Sequence, residues 1–459
     1  MQRVSNALGV AVVLCALTLF FWPGADPAHV TTLRASALVL FAVGLWATSA
    51  LPEYLVALAF LFLTAISAVV PPEVVFSGFT TSTLWLVFGG LILAEAVSAS
   101  GLGQRLASRL LGRFSATYRR ALIGTMLVTT VLCFVMPATI ARILLMVPIL
   151  IAFCQRLGLP PGSRGFNGIM LVMLIGSFQV GAAILPSNIP NLVLAGSAES
   201  LYGVEILYLE YLTLHFPVLG VAKAVLTVAM IERMFRADVA PVAAAAPLPP
   251  MAAAEWRMAI ILGCALALWA TDFLHHIRPG WIGLGAGLAC LLPRIGLIDI
   301  HAFNERVKLA PFFYIGAVLG VGALINAAEL SATLGAGLPT WLGLEPGADF
   351  WNFQLLSLLS TVTVMVATSP GQPALLGPLA AEFAAATGWD VRSVLMTFAI
   401  GFSTILLPYQ VPPVVVGLYA AGVPSGQAAR VFVIQAGFTV MLLWPLNFVW
   451  WWLLGYFAR

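Results

Sequence analysis

The apolar stretches of this chain repeatedly approach the roughly 20 residues that a helix needs to cross the hydrocarbon core of a bilayer, beginning with residues 8–22, 33–50, 54–70 and 82–100. A transmembrane β-barrel would instead show shorter segments that alternate between apolar and polar residues. Composition excludes a water-soluble fold. Of 459 residues, 61% are hydrophobic and 8% charged, against about 25% charged in soluble domains, and the mean hydropathy is +1.03. The chain reads as an all-α polytopic membrane protein. Its net charge of +3 supplies no basic field for nucleic acid. Cys15, Cys133, Cys154, Cys264 and Cys290 stand singly in apolar stretches, as small apolar residues rather than metal ligands or disulfide partners.

Residues 8–22 are short enough to resemble a secretory leader ending near Pro23-Gly24-Ala25, but the topology needs them as a crossing helix. After the fourth span come Arg105, Arg109, Arg113, Arg119 and Arg120. The first three recur every fourth residue on one helical face, which predicts an interfacial helix on the cytoplasmic side. Residues 119–157 are apolar but interrupted at Met136-Pro137-Ala138-Thr139, and both ends are basic, with Arg119 and Arg120 before and Arg156 and Arg164 after. The chain thus returns to the side it left, as a re-entrant hairpin. Residues 166–196 are interrupted at Pro186-Ser187-Asn188-Ile189-Pro190-Asn191, too polar and proline-rich for a continuous helix in lipid, and read as a broken membrane helix.

The division follows from these interruptions. A first repeat covers residues 1–236, with scaffold helices in 1–118, hairpin and broken helix in 119–196 and a helix at 206–231. The Ala/Pro-rich residues 237–254 form an extended cytoplasmic linker. A second repeat, 255–459, has spans at 256–274, 280–295 and 312–328. A hairpin at 353–386, interrupted at Thr368-Ser369-Pro370-Gly371-Gln372-Pro373, is followed by a broken helix at 394–421, cut at Pro408-Tyr409-Gln410-Val411-Pro412-Pro413. In the last helix, 431–456, Trp444, Trp450, Trp451 and Trp452 suit an interfacial belt.

With the N-terminus cytoplasmic, this path of eleven crossings and two hairpins puts fifteen of the 21 Lys and Arg inside. Arg34, Arg278, Arg392 and Arg459 lie outside, and Arg142 and Lys223 within the membrane. That bias agrees with the positive-inside rule, and an odd number of crossings makes the repeats inverted. Matching interruptions in two halves point to a transporter's binding site. The compact loops fit a bacterial inner membrane.

Free amides and carbonyls at a tip or break are costly in hydrocarbon unless a ligand, water or protein meets them. The candidate substrate-binding residues are therefore Pro137, Ala138, Thr139, Arg142, Ser187, Asn188, Thr368, Ser369, Gln372, Gln410 and Pro412, and exposed carbonyls at the breaks suit a cation. No other cofactor is expected. Arg142, three residues past the first tip, has three readings: contact with an anionic substrate through its planar fork, a pair with Glu95, or a link to backbone carbonyls. Glu95 itself serves as a relay, as that partner or as an interfacial group. Lys223, His215 and the His275-His276 pair lie away from the breaks and read as snorkelling or interfacial.

At these residues the chain resembles the divalent anion/sodium symporter family of the ion transporter superfamily, the carriers of dicarboxylates, citrate and sulfate, over nearly its whole length. Residues 86–94 resemble the family's glycine pair before its first hairpin, and residues 139–148 the segment that follows its Ser-Asn-Thr signature. Asn188-Ile189-Pro190-Asn191, with Leu194-Ala195-Gly196, resembles its Thr-Pro-Pro-Asn break, and Val411-Pro412-Pro413-Val414 the second copy. The resemblance implies a homodimer in lipid, a scaffold and a transport domain that moves as an elevator, a small anionic substrate with di- or tricarboxylates favoured, and sodium coupling or exchange, with sodium as a coupling ion at Thr139, Asn188, Asn191, Ser369 and Gly371.

The chain departs from the pattern where Pro137-Ala138-Thr139 and Thr368-Ser369-Pro370 replace the two Ser-Asn-Thr signatures, so both asparagines are missing. Arg142 and Gln372 stand at matching places where the family has small or hydroxylated residues. Arg142 then stands in for part of a bound cation's charge, which opens sodium-independent uniport, exchange or proton coupling beside symport. An antiporter for cations or a permease for sulfate or arsenite is the neighbouring reading, although the breaks carry no Asp or Glu. An enzyme is not expected, because the acids and histidines form no cluster for acid/base or metal chemistry.

Overall fold

The structure is a computed structural model that describes residues 2–24, 29–48, 50–240, 249–331 and 337–458. Residues 241–248 of the expected linker and Arg459 lie outside these. Among the described residues the elements are helical throughout, and ten helices are long and apolar enough to cross a membrane. The first half contains α1 (Gln2–Phe20), α2 (Val30–Thr48), α3 (Glu53–Ser67) and α4 (Ser82–Ser100). The basic segment then forms α5 (Leu102–Arg113), with Leu102, Ala107 and Leu111 buried on one face. The interrupted stretches give α6 (Tyr118–Val135) and α7 (Thr139–Arg156), then α8 (Arg164–Ile175) and α9 (Ile189–Tyr202). The half ends with α10 (Tyr208–Met234).

The second half runs through α11 (Ala253–Ala270), α12 (Pro279–Leu291), α13 (Ala310–Ala327), α14 (Asp349–Leu376), α15 (Ala380–Thr387), α16 (Val391–Phe402), α17 (Pro412–Ala421) and α18 (Ser425–Leu453). Both α10 and α18 widen into a π-helical turn, at Phe216–Ala222 and Thr439–Leu443, and the two turns touch.

Local chemistry sets the ends. Thr81, Thr117, Ser163 and Asp390 each accept a backbone N–H of the helix they precede, at α4, α6, α8 and α16, which satisfies donors that hydrocarbon could not. Pro137 stops helical hydrogen bonding between α6 and α7. In α14 the chain turns at Thr368, whose φ of 61° and ψ of 169° lie where a β-branched residue rarely goes.

Two neighbouring glycines separate a wall from what faces it. A Cβ on Gly89 would collide with the carbonyl of Gly283, and one on Gly287 would stand 2.9 Å from the Gly89 Cα, so α4 and α12 pack backbone on backbone. A Cβ on Gly90 would stand 3.1 Å from Pro137 Cβ at the first tip. α4 thus presents one glycine to its partner helix and the next to the hairpin.

Several side chains depart from expectation. Trp444 and Trp451 are buried, their indoles donating to Thr404 Oγ1 at 3.2 Å and to the Leu214 carbonyl at 3.3 Å, while Trp452 is exposed and Trp450 half-buried. Only the last two suit a belt, because an inward face of an apolar helix is as apolar as an outward one. Lys223 and His215 do not snorkel: both are fully buried. Glu95 does not reach Arg142; its carboxylate lies 3.5 Å from Arg306.

Candidate functional site

Each half joins its tip to its break through a hydroxyl. In the first, Thr139 Oγ1 donates to the Ser187 carbonyl at 3.3 Å and also to Asn188 Oδ1. In the second, Ser369 Oγ donates to the Phe402 carbonyl at 3.3 Å. The unwound backbone beyond α8 and α16 is otherwise held by amide side chains. Asn188 Nδ2 donates to the Phe178 carbonyl at 2.7 Å, and Asn191 Nδ2 to those of Gly181 and Ile184 at 3.1 and 2.8 Å. Gln410 Oε1 accepts from the amides of Leu406 and Leu407 at 2.8 and 2.7 Å. These bonds answer the demand that irregular backbone at membrane depth be satisfied by protein.

Both tips and both breaks border one cavity of about 270 Å³. Pro137, Ala138 and Thr139 come from the first tip, Ile189 and Pro190 from the first break, Ser369 and Pro370 from the second tip, and Val411, Pro412 and Pro413 from the second break. Leu86, Val87, Gly90 and Leu91 of α4 close the opposite wall, with Glu53 and Pro311 at its margin. Its volume suits a small molecule of a few heavy atoms, near the lower bound of ligand pockets. A larger vestibule of about 730 Å³ adjoins it, since Leu91, Ala138, Ile140 and Pro311 line both. That vestibule opens past Arg156, Arg306 and Lys308, toward the Ser100 end of α4.

The sequence-predicted residues divide into two sets. Pro137, Ala138, Thr139, Ser369 and Pro412 meet on the cavity wall. Arg142, Ser187, Asn188, Thr368, Gln372 and Gln410 do not border it. Of the proposed sodium ligands, Thr139 and Asn188 are bonded to each other and Asn191 Nδ2 donates to the Gly181 and Ile184 carbonyls, while Ser369 and Gly371 belong to the second half, Ser369 sharing the cavity wall with Thr139. Sequence reading passed over Gly90 as a wall residue and Glu53 as the acid at the margin. The adjacent glycines carried a signal for the first, since only one of two neighbours can face α12. Nothing in the local pattern marked the second.

Arg142 is fully buried behind Thr139. Its guanidinium donates to the Ser177 carbonyl at 2.6 Å, the Ser187 carbonyl at 3.2 Å, Thr139 Oγ1 at 3.2 Å, Asn188 Oδ1 at 3.5 Å and the Met136 carbonyl. Of the three readings open from sequence, the geometry is that of the carbonyl link. Nε alone lacks a partner. In the second half Gln372 is equally buried, and neither polar atom of its amide has a protein partner. Across the break beyond α16, Lys223 Nζ of α10 donates to the Ser403 carbonyl at 2.7 Å.

The profile described as "Sodium:sulfate symporter transmembrane region" matches residues 4–457. A membrane protein of Cupriavidus necator is 25% identical, over 96% of this chain and 92% of that one. The sodium-dependent dicarboxylate transporter SdcS of Staphylococcus saprophyticus is 24% identical, over 95% of this chain and 86% of its own. The citrate/succinate antiporter of Escherichia coli K12 is 22% identical, over 82% and 80%. Among solved structures, the Alcanivorax borkumensis YdaH transporter is similar with a TM-score of 0.58 at 15% identity, covering 98% of this chain and 97% of that one. Neisseria gonorrhoeae MtrF follows with a TM-score of 0.52 at 13% identity, covering 98% and 94%. At such identities these two speak for the fold alone.

Proposed function

Because the chain belongs to the family of the sodium:sulfate symporter transmembrane region, the divalent anion/sodium symporters, we propose that it is a secondary transporter of small organic anions, with di- and tricarboxylates as substrates. The relatives named as a dicarboxylate transporter and a citrate/succinate antiporter support carboxylate as the cargo. The observation that carries the reading is the convergence of both tips and both breaks on one cavity that adjoins a vestibule bearing Arg156, Arg306 and Lys308.

In this reading the substrate enters through the vestibule from the cytoplasmic side, drawn by its cations, and rests between the tips and the wall of α4. Thr139 and Ser369 offer hydroxyls, and the amino ends of α7, α9 and α17 aim their partial positive charge at it. Residues 119–236 and 349–458 then move as a body against α4, α12 and their neighbours, an elevator step in which tips and breaks travel together. The first repeat is residues 1–236 and the second 255–459, inverted across a bacterial inner membrane, with the scaffold helices forming the contact of a homodimer.

The test is exchange of labelled succinate, citrate and sulfate by the purified protein in liposomes. Saturable exchange of a carboxylate is expected. Exchange of sulfate alone would move the assignment to inorganic anions, and no exchange of any of the three would refute it.

A further inference from the structure

We infer that the cavity between the tips and α4 takes a carboxylate that also bears an ammonium group, a small amino dicarboxylate, with Glu53 as the partner of the ammonium. The inference rests on the transport reading and names a substrate class for the same site.

Among the described residues, Glu53 is the one charged side chain on the wall of that cavity. It is the first residue of α3 and follows Pro52, whose φ of −55° and ψ of 136° bring the chain in extended. Its backbone is fixed by the helices on either side. Trp46, near the end of α2, donates from its indole to the Glu53 carbonyl at 3.1 Å and packs edge to face on Tyr314 of α13, with ring centroids 5.2 Å apart. Both rings are buried, whereas Glu53 itself is exposed. The main chain is thus anchored while the carboxylate stays accessible, which is how a binding group is held ready.

Among the described residues no cation answers that carboxylate. Glu53 is the only charged residue of α3. On the elements packed against α3, Arg34 of α2 stacks over Phe20, the turn Pro72–Val75 brings only the acid Glu73, and α13 has no charged residue. Just ahead of α13, Arg306 lies 3.5 Å from Glu95 and Lys308 donates to the Glu305 carbonyl. α14, which brings Ser369 and Pro370 to the cavity, carries only Asp349, and that carboxylate accepts the Trp389 indole.

Across the cavity the sign of the charge is reversed. Arg142 stands behind Thr139, its guanidinium held by carbonyls rather than by an acid, and the amino ends of α7, α9 and α17 add partial positive charge on the same side. A plain dicarboxylate meets that side with one end and turns the other toward Glu53, where two carboxylates in apolar surroundings repel. An amino dicarboxylate presents opposite charges to the two sides, because its amine is protonated at neutral pH. Thr139 and Ser369 supply hydroxyls between them, and the volume of about 270 Å³ accepts a small molecule of that kind. The contact of an ammonium with Glu53 is charge-assisted, and stronger than the bond that a hydroxyl in the amine's place would make.

The test uses aspartate and malate, which differ by an ammonium against a hydroxyl. The full chain, purified, is heated with each at neutral pH, and liposomes are assayed for exchange of labelled aspartate and labelled malate. Aspartate is expected to raise the unfolding temperature at lower concentration than malate and to exchange with the lower apparent KM. Glu53→Gln is expected to reverse that order, weakening aspartate by about tenfold or more while strengthening malate. Malate bound by the wild-type protein as tightly as aspartate, or more tightly, overturns the inference. So does a Glu53→Gln protein that still prefers aspartate or weakens both alike. Because heating reads binding without transport, the two readings fail separately: no exchange of aspartate, malate, succinate, citrate or sulfate refutes the transport reading, whereas exchange with malate preferred refutes the role of Glu53 alone. Should Glu53→Gln not fold, the comparison of the pair on the wild-type protein decides.

Discussion

Glu199, in the last turn of α9, accepts the backbone N–H of Ser82 at the start of α4, at 2.9 Å. The same carboxylate takes the hydroxyls of Ser82 and Thr83, the amide of Thr83 and Nη1 of Arg278, the last at 2.7 Å. Ser82 is the end of α4 remote from the vestibule, whose lining begins at Leu91 and reaches Ser98. The broken helix is therefore clasped to the wall at the end of α4 away from the vestibule. Hydrogen bonds to a charged group are worth about 1.5–3 kcal/mol each when buried, and less here because Glu199 keeps 14% of its side-chain surface.

Removing that clasp should free the opposite side. Glu199→Ala is expected to lower the unfolding temperature and to shift the protein toward the alternative conformation, read as increased labelling of a cysteine at position 369 by an impermeant reagent from outside. Unchanged labelling and stability would show that the clasp holds nothing.

Arg142 is a keystone of the first half by the number of carbonyls that it serves. Truncation to alanine strands buried acceptors from Met136, Ser177 and Ser187, at a cost of about 1–3 kcal/mol each. Arg142→Ala should therefore fail to accumulate as a monodisperse protein. Arg142→Lys keeps the charge but not the planar fork, and is expected to fold with lowered thermal stability. Size-exclusion profiles after heating separate the three, and a wild-type profile for alanine would reject the role.

The neighbouring glycines of α4 should respond differently. Gly89→Ala forces backbone apart from backbone at α12, whereas Gly90→Ala meets only Pro137 at 3.1 Å. The first is expected to destabilise by the overpacking range of about 1–3 kcal/mol. The second should leave unfolding temperature unchanged while slowing exchange, because it thickens the wall that the tip faces. Equal effects on stability would argue against a division between wall and tip at this helix.

The tip hydroxyls give the mildest prediction. Thr139→Val removes the bonds from tip to break at the Ser187 carbonyl and Asn188 Oδ1, and Ser369→Ala the one at the Phe402 carbonyl, of about 0.5–1.5 kcal/mol each. Each is expected to raise the apparent KM for the carried anion severalfold with the protein intact. No change in either variant would remove both hydroxyls from the site.

Much of this architecture was legible. The four interruptions at 136–139, 186–191, 368–373 and 408–413 appear as breaks or unwound turns within a residue or two of their expected positions, because proline and clustered polar residues act locally on the backbone. Facing was illegible. Trp444, Trp451, His215 and Lys223 are all interior, yet lipid tails and a protein core are alike apolar, so hydropathy around a helix does not say which side is buried. The π-helical turns of α10 and α18 shift facing further, since each inserted turn rotates the residues that follow, Lys223 and Trp444 among them. The partner of Glu95 was missed for a related reason: Arg306 is distant in sequence and comes close only when α4 packs near the start of α13.

The cavity is walled mostly by proline, valine, leucine and isoleucine, with Thr139 and Ser369 as its two hydroxyls and Arg142 set behind the wall rather than on it. In the proposed transport reading, a site built this way holds its cargo by two hydroxyls and otherwise through a field. Discrimination by field counts total charge and is nearly blind to the length of the carbon chain or the placing of a hydroxyl. For that proposed reading the consequence is a lenient selectivity, in which anions of equal charge and similar bulk compete for one site and their abundance weighs as much as the pocket in what is moved.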